Sequence, residues 1–196
     1  TRDHVNPHVP KVWTVTLEFT FWPALVAAVL GTWGWATVQD RPRIAQGLSL
    51  LSEAVVVFHA YHVTLKVLVG RERPASTGEG RVRGPFRNLG SFPSGTPSGH
   101  AGTLYAAIGA GFAFFDPPAW LQVAGHAAAL ALSTFNVIDH GHYASEALWG
   151  AAMGWSIGRW IVAHRAAPGA AAKRASPHVV PVPVAGGVGL AWAAAF

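Results

Sequence analysis

The sequence predicts an all-α fold, a membrane helical bundle of about five spanning helices, with a small β-hairpin able to form near the C-terminus. Three observations carry this. Of the 196 residues, 51% are hydrophobic and only 12% are charged, which is too apolar for an ordinary soluble domain. Nine Trp among them exclude a disordered chain, which would be poor in aromatic residues. The few charges also punctuate the sequence at intervals that suit membrane crossings, each needing roughly 20 apolar residues. The length fits one domain with a real core.

The first spanning candidate is Phe19 to Val38, uncharged throughout, with Phe21, Trp22, Trp33 and Trp35 near its ends as an interfacial belt. Pro23 fits its first turn or kinks it. A second segment, about Ile44 to Gly70, is apolar around Ala54 to Phe58 but carries Glu53, His59, His62 and Lys66. Ionisable groups on a lipid-like helix are costly and point to function. From Arg71 to Gly95 the composition turns to Arg, Gly, Pro and Ser, the mark of a long irregular loop.

A third helix is expected to begin at Ser98 and to stop at Asp116-Pro117-Pro118, and a fourth to run from about Ala119 to Ile138. After the polar turn Asp139-His140-Gly141, a fifth covers about Tyr143 to Ala166, with Gly150, Ala151, Ala152, Gly154 and Gly158 spaced for close helix packing. The bundle domain is thus assigned to residues 1–167. Residues 168–196 form a Pro/Ala/Gly tether and the hairpin candidate, whose Pro181 and Pro183 restrict its pairing to an edge.

The formal net charge is +5, with ten His besides. Arg71, Arg73, Arg81, Arg83 and Arg87 fall in one stretch, without the aromatic interleaving or helix-long basic face of a nucleic-acid binder. A localised anion site is expected instead, and no nucleic-acid partner. The lack of Cys excludes disulfides, thiolate metal sites and cysteine nucleophiles. The chain opens Thr-Arg-Asp-His, so a start residue, a signal peptide or a first membrane segment is expected to precede it.

If all five segments span, the end of helix two, the start of helix three and the turn between helices four and five emerge on one side. Those places carry the chemistry-bearing residues. Lys66 and Arg73 are seven apart, about two helical turns, which puts them on nearly one face of a helix that Pro74 then ends. Pro97-Ser98-Gly99-His100 sits where a turn enters a helix and offers backbone N–H groups, a hydroxyl and a positive dipole end to a phosphate. His142 and Glu146, four apart on a helix or across its start, allow the carboxylate to hold one imidazole nitrogen and leave the other free to attack.

The blander readings are a basic cluster at the membrane edge for Lys66 and Arg73, a helix cap for the Ser98 turn, and a structural ion pair for His142 with Glu146. His59, His62 and His126 are read as core or interface histidines with satisfied partners. Asp139, His140 and His142 offer a weak metal pattern that lacks further ligands, so no metal is expected.

Lys66 to Pro74, a Lys, six residues and then Arg-Pro, resembles the first signature of the type-2 phosphatidic acid phosphatases, and Pro97-Ser98-Gly99-His100 resembles the second. His142-Tyr143-Ala144-Ser145-Glu146 is similar to the closing half of the third. The resemblance covers about residues 44 to 166. It implies that His142 attacks phosphorus to form a phosphohistidine that water hydrolyses, that Glu146 orients it, and that His100 protonates the leaving group. Lys66, Arg73, Ser98 and Gly99 would bind the phosphoryl oxygens, without metal or other cofactor.

Two departures stand out. Asn136 occupies the place of the third-signature arginine, and Glu146 replaces the usual Asp. A doubled Pro93-Ser94-Gly95-Thr96 also precedes the second signature and is expected to displace His100. One of Arg81, Arg83 and Arg87 is a candidate to fill the vacant arginine position.

The leading expectation is a membrane phosphatase for a phosphate monoester or pyrophosphate of a lipid or other small molecule. It would sit in a bacterial inner membrane, in contact with membrane lipids, and face the extracytoplasmic side. The rival is a catalytically degenerate relative that serves as a structural or phosphate- or lipid-binding subunit of a membrane complex.

Overall fold

The computed structural model describes residues 22–74, 80–87, 95–139, 141–167, 178–184 and 187–193. Five helices follow one another: α1 (Trp22–Val38), α2 (Pro42–Val69), α3 (Gly99–Phe115), α4 (Ala119–Ile138) and α5 (Ala144–Arg165). Their order and type are as the apolar segments predict.

Local chemistry sets the ends. Pro42 opens α2, where a missing N–H costs nothing. Gly70 closes it in the left-handed conformation at φ 56°, its N–H bonded to the carbonyl of Lys66 at 3.0 Å. A side chain is barred there twice over, by the positive φ and because a Cβ would meet the carbonyl oxygen of Gly84 at 2.5 Å. Ser98 caps α3 with its side-chain oxygen, which accepts from the N–H of Ala101 at 3.4 Å. Asp116 ends α3, and Pro117 and Pro118 prevent its continuation into α4.

Leu50, Ala54 and Phe58 of α2, Ala106, Ala110 and Phe114 of α3, and Ile161 and Val162 of α5 form the core cluster. The closest seam runs between α3 and α5. Gly150, Gly154 and Gly158, one turn apart on α5, lie against the backbone carbonyls of Ser98, Gly102 and Ala106, one turn apart on α3. The small-residue pattern of α5 is therefore what lets two backbones touch. Since Ser98 and Glu146 begin these two helices, the seam also fixes one side of the polar end of the bundle against the other.

α4 is peripheral, burying only Ala129 and Ser133. α1 leans on α2, with the indole N–H of Trp33 donating to the Ser49 hydroxyl at 3.0 Å. Of the described helices, α2 and α4 are long and apolar enough to cross a membrane. α1 is apolar but shorter, and α3 has 17 residues, so the expected five spans are met in length and composition by two. Val26, Leu30 and Trp33 on α1, and Trp120, Val123 and Leu130 on α4, are exposed, a surface suited to lipid contact.

One expectation is corrected. Arg73 does not share a helical face with Lys66, because α2 ends at Val69 and Pro74 plays no part in ending it. Gly70 turns the chain, and the loop folds back as a short antiparallel pair. Arg71 bridges Val82, and the N–H of Glu72 donates to the carbonyl of Arg81 at 3.0 Å. Arg83 reaches the Glu72 carboxylate at 2.7 Å and fastens that pair.

Further along, His178–Val184 and Gly187–Ala193 pair as an antiparallel ribbon, with Pro181 opposite Leu190 and Pro183 opposite Val188. Both strands of a two-stranded ribbon are edges, where a proline removes no obligatory bond.

Candidate active site

The polar residues of the three signatures gather at one end of the helices around a buried carboxylate. Glu146, 1% exposed, stands in the first turn of α5. Its Oε2 accepts from the backbone N–H of Tyr143 at 3.1 Å and meets Nδ1 of His142 at 3.2 Å. Its Oε1 accepts from the Thr96 hydroxyl at 2.7 Å and lies 3.4 Å from the Arg71 guanidinium. A buried carboxylate needs such donors to remain charged. The extra methylene of Glu over Asp has a use here: one carboxylate caps its own helix and still reaches back to the residue before that helix.

His142 lies outside α5, so the pair bridges the helix start. The His142 N–H donates to the Asn136 carbonyl at 3.3 Å, and that of Gly141 to the same oxygen at 3.0 Å. With Nδ1 turned to Glu146, the proton belongs on Nδ1 and Nε2 carries the lone pair. Burial pushes His142 below the ordinary histidine range, and the charges of Lys66 and Arg73 act in the same direction, against the hydrogen bond that His142 donates to Glu146. The imidazole is thereby kept neutral and nucleophilic.

On the facing side, the Ser98 N–H donates to the backbone carbonyl of Glu146 at 3.0 Å, which fastens the Pro97-Ser98-Gly99-His100 turn to α5. The Gly99 amide that follows opens the first turn of α3, at the positive end of the helix, where an anion is favoured. The His100 and His142 rings lie 6.5 Å apart between centroids at 68°, near enough to address one tetrahedral group from two sides. Lys66, 3% exposed in the last turn of α2, lies within electrostatic range of Arg73 and Glu146.

All seven expected residues, Lys66, Arg73, Ser98, Gly99, His100, His142 and Glu146, therefore fall at this end. Arg73 reaches it through the loop and not through the helix. His100 keeps its place in the first turn of α3, so the doubled segment does not displace it.

Instead, that segment supplies two residues that sequence reasoning missed. Thr96 bonds Glu146, and Gly95 lies so close that a Cβ there would meet Glu146 Oε1 at 2.5 Å. The signal was the repetition itself, which places a second Ser/Thr-bearing turn beside the first.

Asn136 does not stand in for the third-signature arginine. Its side-chain amide donates to the carbonyl of Leu132 at 2.9 Å, back along α4. Arg81, Arg83 and Arg87 are exposed, and Arg83 is committed to Glu72. The guanidinium beside the third signature belongs to Arg71. It stacks over Tyr143 at 4.4 Å, donates to the Ser145 hydroxyl at 3.3 Å and to the Gly80 carbonyl at 3.2 Å, and pairs with Glu146.

His59 is exposed and has the partner expected of a histidine between helices, the Thr103 hydroxyl at 3.1 Å, and His126 is half-buried among Tyr105, Phe112 and Trp155. His140 lies outside the described residues, and no group of three His, Cys, Asp or Glu is placed to hold a metal among those described.

No curated protein and no solved structure matches the chain. The sequence pattern of the PAP2 superfamily matches residues 44–168, a stretch that takes in all three signature regions and four of the five helices. With more than half of its length so matched, the chain belongs to the PAP2 superfamily, and its general function is of the phosphatase type.

Proposed function

We propose that the protein hydrolyses a phosphate monoester or pyrophosphate, lipid-linked in the cell, through a phosphohistidine intermediate. The observation that carries this is the buried His142–Glu146 pair, with Nε2 of His142 left to attack and His100 across from it. Nε2 forms a bond to phosphorus as the bond to the leaving oxygen breaks, and His100 gives that oxygen its proton. His100 then takes a proton from water, whose oxygen attacks phosphorus and releases phosphate from His142. Lys66, Arg73, the Ser98 hydroxyl and the amide of Gly99 hold the non-bridging oxygens, where charge is stabilised without reorganisation. The apolar, lipid-suited flanks of α1, α2 and α4 support a lipid-linked substrate and a site at the membrane surface.

A second reading has one specific observation in its favour. The side chain of Asn136 turns away along α4, so the arginine of the third signature has no replacement in its own position. A protein that binds a phosphorylated headgroup without cleaving it would tolerate that loss.

Purified protein in detergent, incubated with p-nitrophenyl phosphate and with a phosphorylated lipid and quenched in alkali, separates the two readings. Turnover with an alkali-stable, acid-labile phosphoprotein is expected. Tight phosphate binding with no turnover on either substrate would establish the binding protein in its place.

The acid limb of kcat/KM reports the free enzyme and is expected below pH 6.5, the ordinary histidine value, because the nucleophile must be neutral and His142 is held low. Lys66→Met removes a repelling charge and should move that limb upward, although burial, the larger cause, keeps it below the ordinary value. A limb that stays in place would show that Lys66 does not act on the titrating group.

A further inference from the structure

His62 is a buried imidazole on α2, 9% exposed, and neither of its ring nitrogens has a hydrogen-bond partner among the described residues. Buried polar atoms in native proteins nearly always have partners, so an orphan of this kind calls for a ligand or an ordered water. It does not fit the satisfied core or interface histidine expected from sequence.

Its position selects between those two. His62 lies one helical turn before Lys66, and spacing of four residues puts both side chains on one face of α2. Its ring stacks on Phe58 with 5.5 Å between centroids, which fixes the plane. The ring edge that carries Nε2 lies over Gly99, so close that a Cβ on Gly99 would meet Nε2 and Cε1 at 2.9 Å. Gly99 is thus small for a reason beyond its amide: a side chain there would push His62 away. Lys66, His100 and His142 are all within electrostatic range of the ring. The ring edge that carries Nε2 is therefore held against the turn of α3 that forms the anion position.

We infer that His62 is a further phosphate-binding residue, donating a hydrogen bond from its imidazole to a non-bridging phosphoryl oxygen beside the Gly99 amide. This rests on the phosphate-site reading above. It assigns to α2 two consecutive turns of ligand contacts, His62 and Lys66, facing the turn of α3. A donor from this side also offsets part of what the Asn136 position no longer supplies.

The test is phosphate binding by the purified protein in detergent, measured by calorimetry with inorganic phosphate and, separately, as KM for p-nitrophenyl phosphate. His62→Phe keeps the stack on Phe58 and removes both nitrogens. It is expected to weaken both by roughly 10-fold or more, the worth of a hydrogen bond to a charged group. His62→Gln should recover part of the loss, and the unfolding midpoint of His62→Phe should hold or rise, since an unsatisfied buried polar group is gone.

Unchanged phosphate binding in His62→Phe overturns the inference. So does weakened binding of the ester alone, which would place His62 at the leaving group. If His62→Phe does not fold, His62→Leu decides by the same two measurements. Because calorimetry needs no turnover, an inactive wild-type protein would sink the hydrolase reading while leaving His62 open to test. A wild-type protein that binds no phosphate would sink both.

Discussion

Replacing His142 by alanine is expected to lower kcat by at least about 1,000-fold, because it removes the group that forms the covalent intermediate in the proposed mechanism, and what remains is binding and charge stabilisation. Glu146→Gln should cost less, roughly 100-fold. An amide can accept through only one oxygen, and Glu146 serves four donors, the N–H of Tyr143, Nδ1 of His142, Thr96 and Arg71. The neutral side chain would then hold His142 in the wrong tautomer part of the time. The two variants differ in kind as well as in size. His142→Ala leaves a cavity at a buried site, and added imidazole should restore part of the turnover; Glu146→Gln offers no such cavity and should not respond. Both are read as kcat on p-nitrophenyl phosphate with the phosphoprotein trapped in parallel. Turnover in His142→Ala at the wild-type rate, without imidazole, would remove His142 from the mechanism.

Much of the site was legible in the sequence because its parts are short local patterns whose geometry is set within a few residues. A turn that enters a helix at Ser98 must present amides, and a His followed four residues later by an acid must be able to touch it. These are local rules, and His100, His142 and Glu146 obey them. Arg73 was misplaced for an equally local reason: the seven-residue spacing from Lys66 suits a helix, but Gly70 in the left-handed conformation outweighs that pattern and turns the chain. The contacts that the guanidinium of Arg71 and the hydroxyl of Thr96 make with Glu146 follow from no local rule. Each side chain meets Glu146 across fifty residues or more of sequence, through the fold of a loop that carries no periodicity. His62 departs from the reading of a satisfied core or interface histidine because the rule that buried polar groups find partners does not say whether the partner is protein or ligand.

The glycine pattern of α5 was legible as close packing, and the structure turns it into a prediction of large effect. On helix propensity alone, Gly154→Ala should stabilise by up to about 1 kcal/mol, since glycine is a poor helix former. The seam reverses the sign. A Cβ on Gly154 would strike the carbonyl of Gly102 and the backbone N of Ala106, and backbone on a packed helix cannot swing aside as a flexible side chain can. Overpacking of this kind costs about 1–3 kcal/mol for one added carbon and more for a branched residue, so Gly154→Ala is expected to be net destabilising and Gly154→Val severely so. The effect should reach the site as well, because forcing α5 from α3 draws Glu146 away from Ser98, whose backbone bond at 3.0 Å ties the two helix starts together. Loss of phosphatase activity should therefore accompany the fall in unfolding midpoint. Gly34→Ala on α1 is the matching control: its Cβ would meet nothing within 4 Å, so the propensity gain stands unopposed and the midpoint should hold or rise. Equal midpoints for Gly154→Ala and Gly34→Ala would show that α3 and α5 do not meet backbone to backbone.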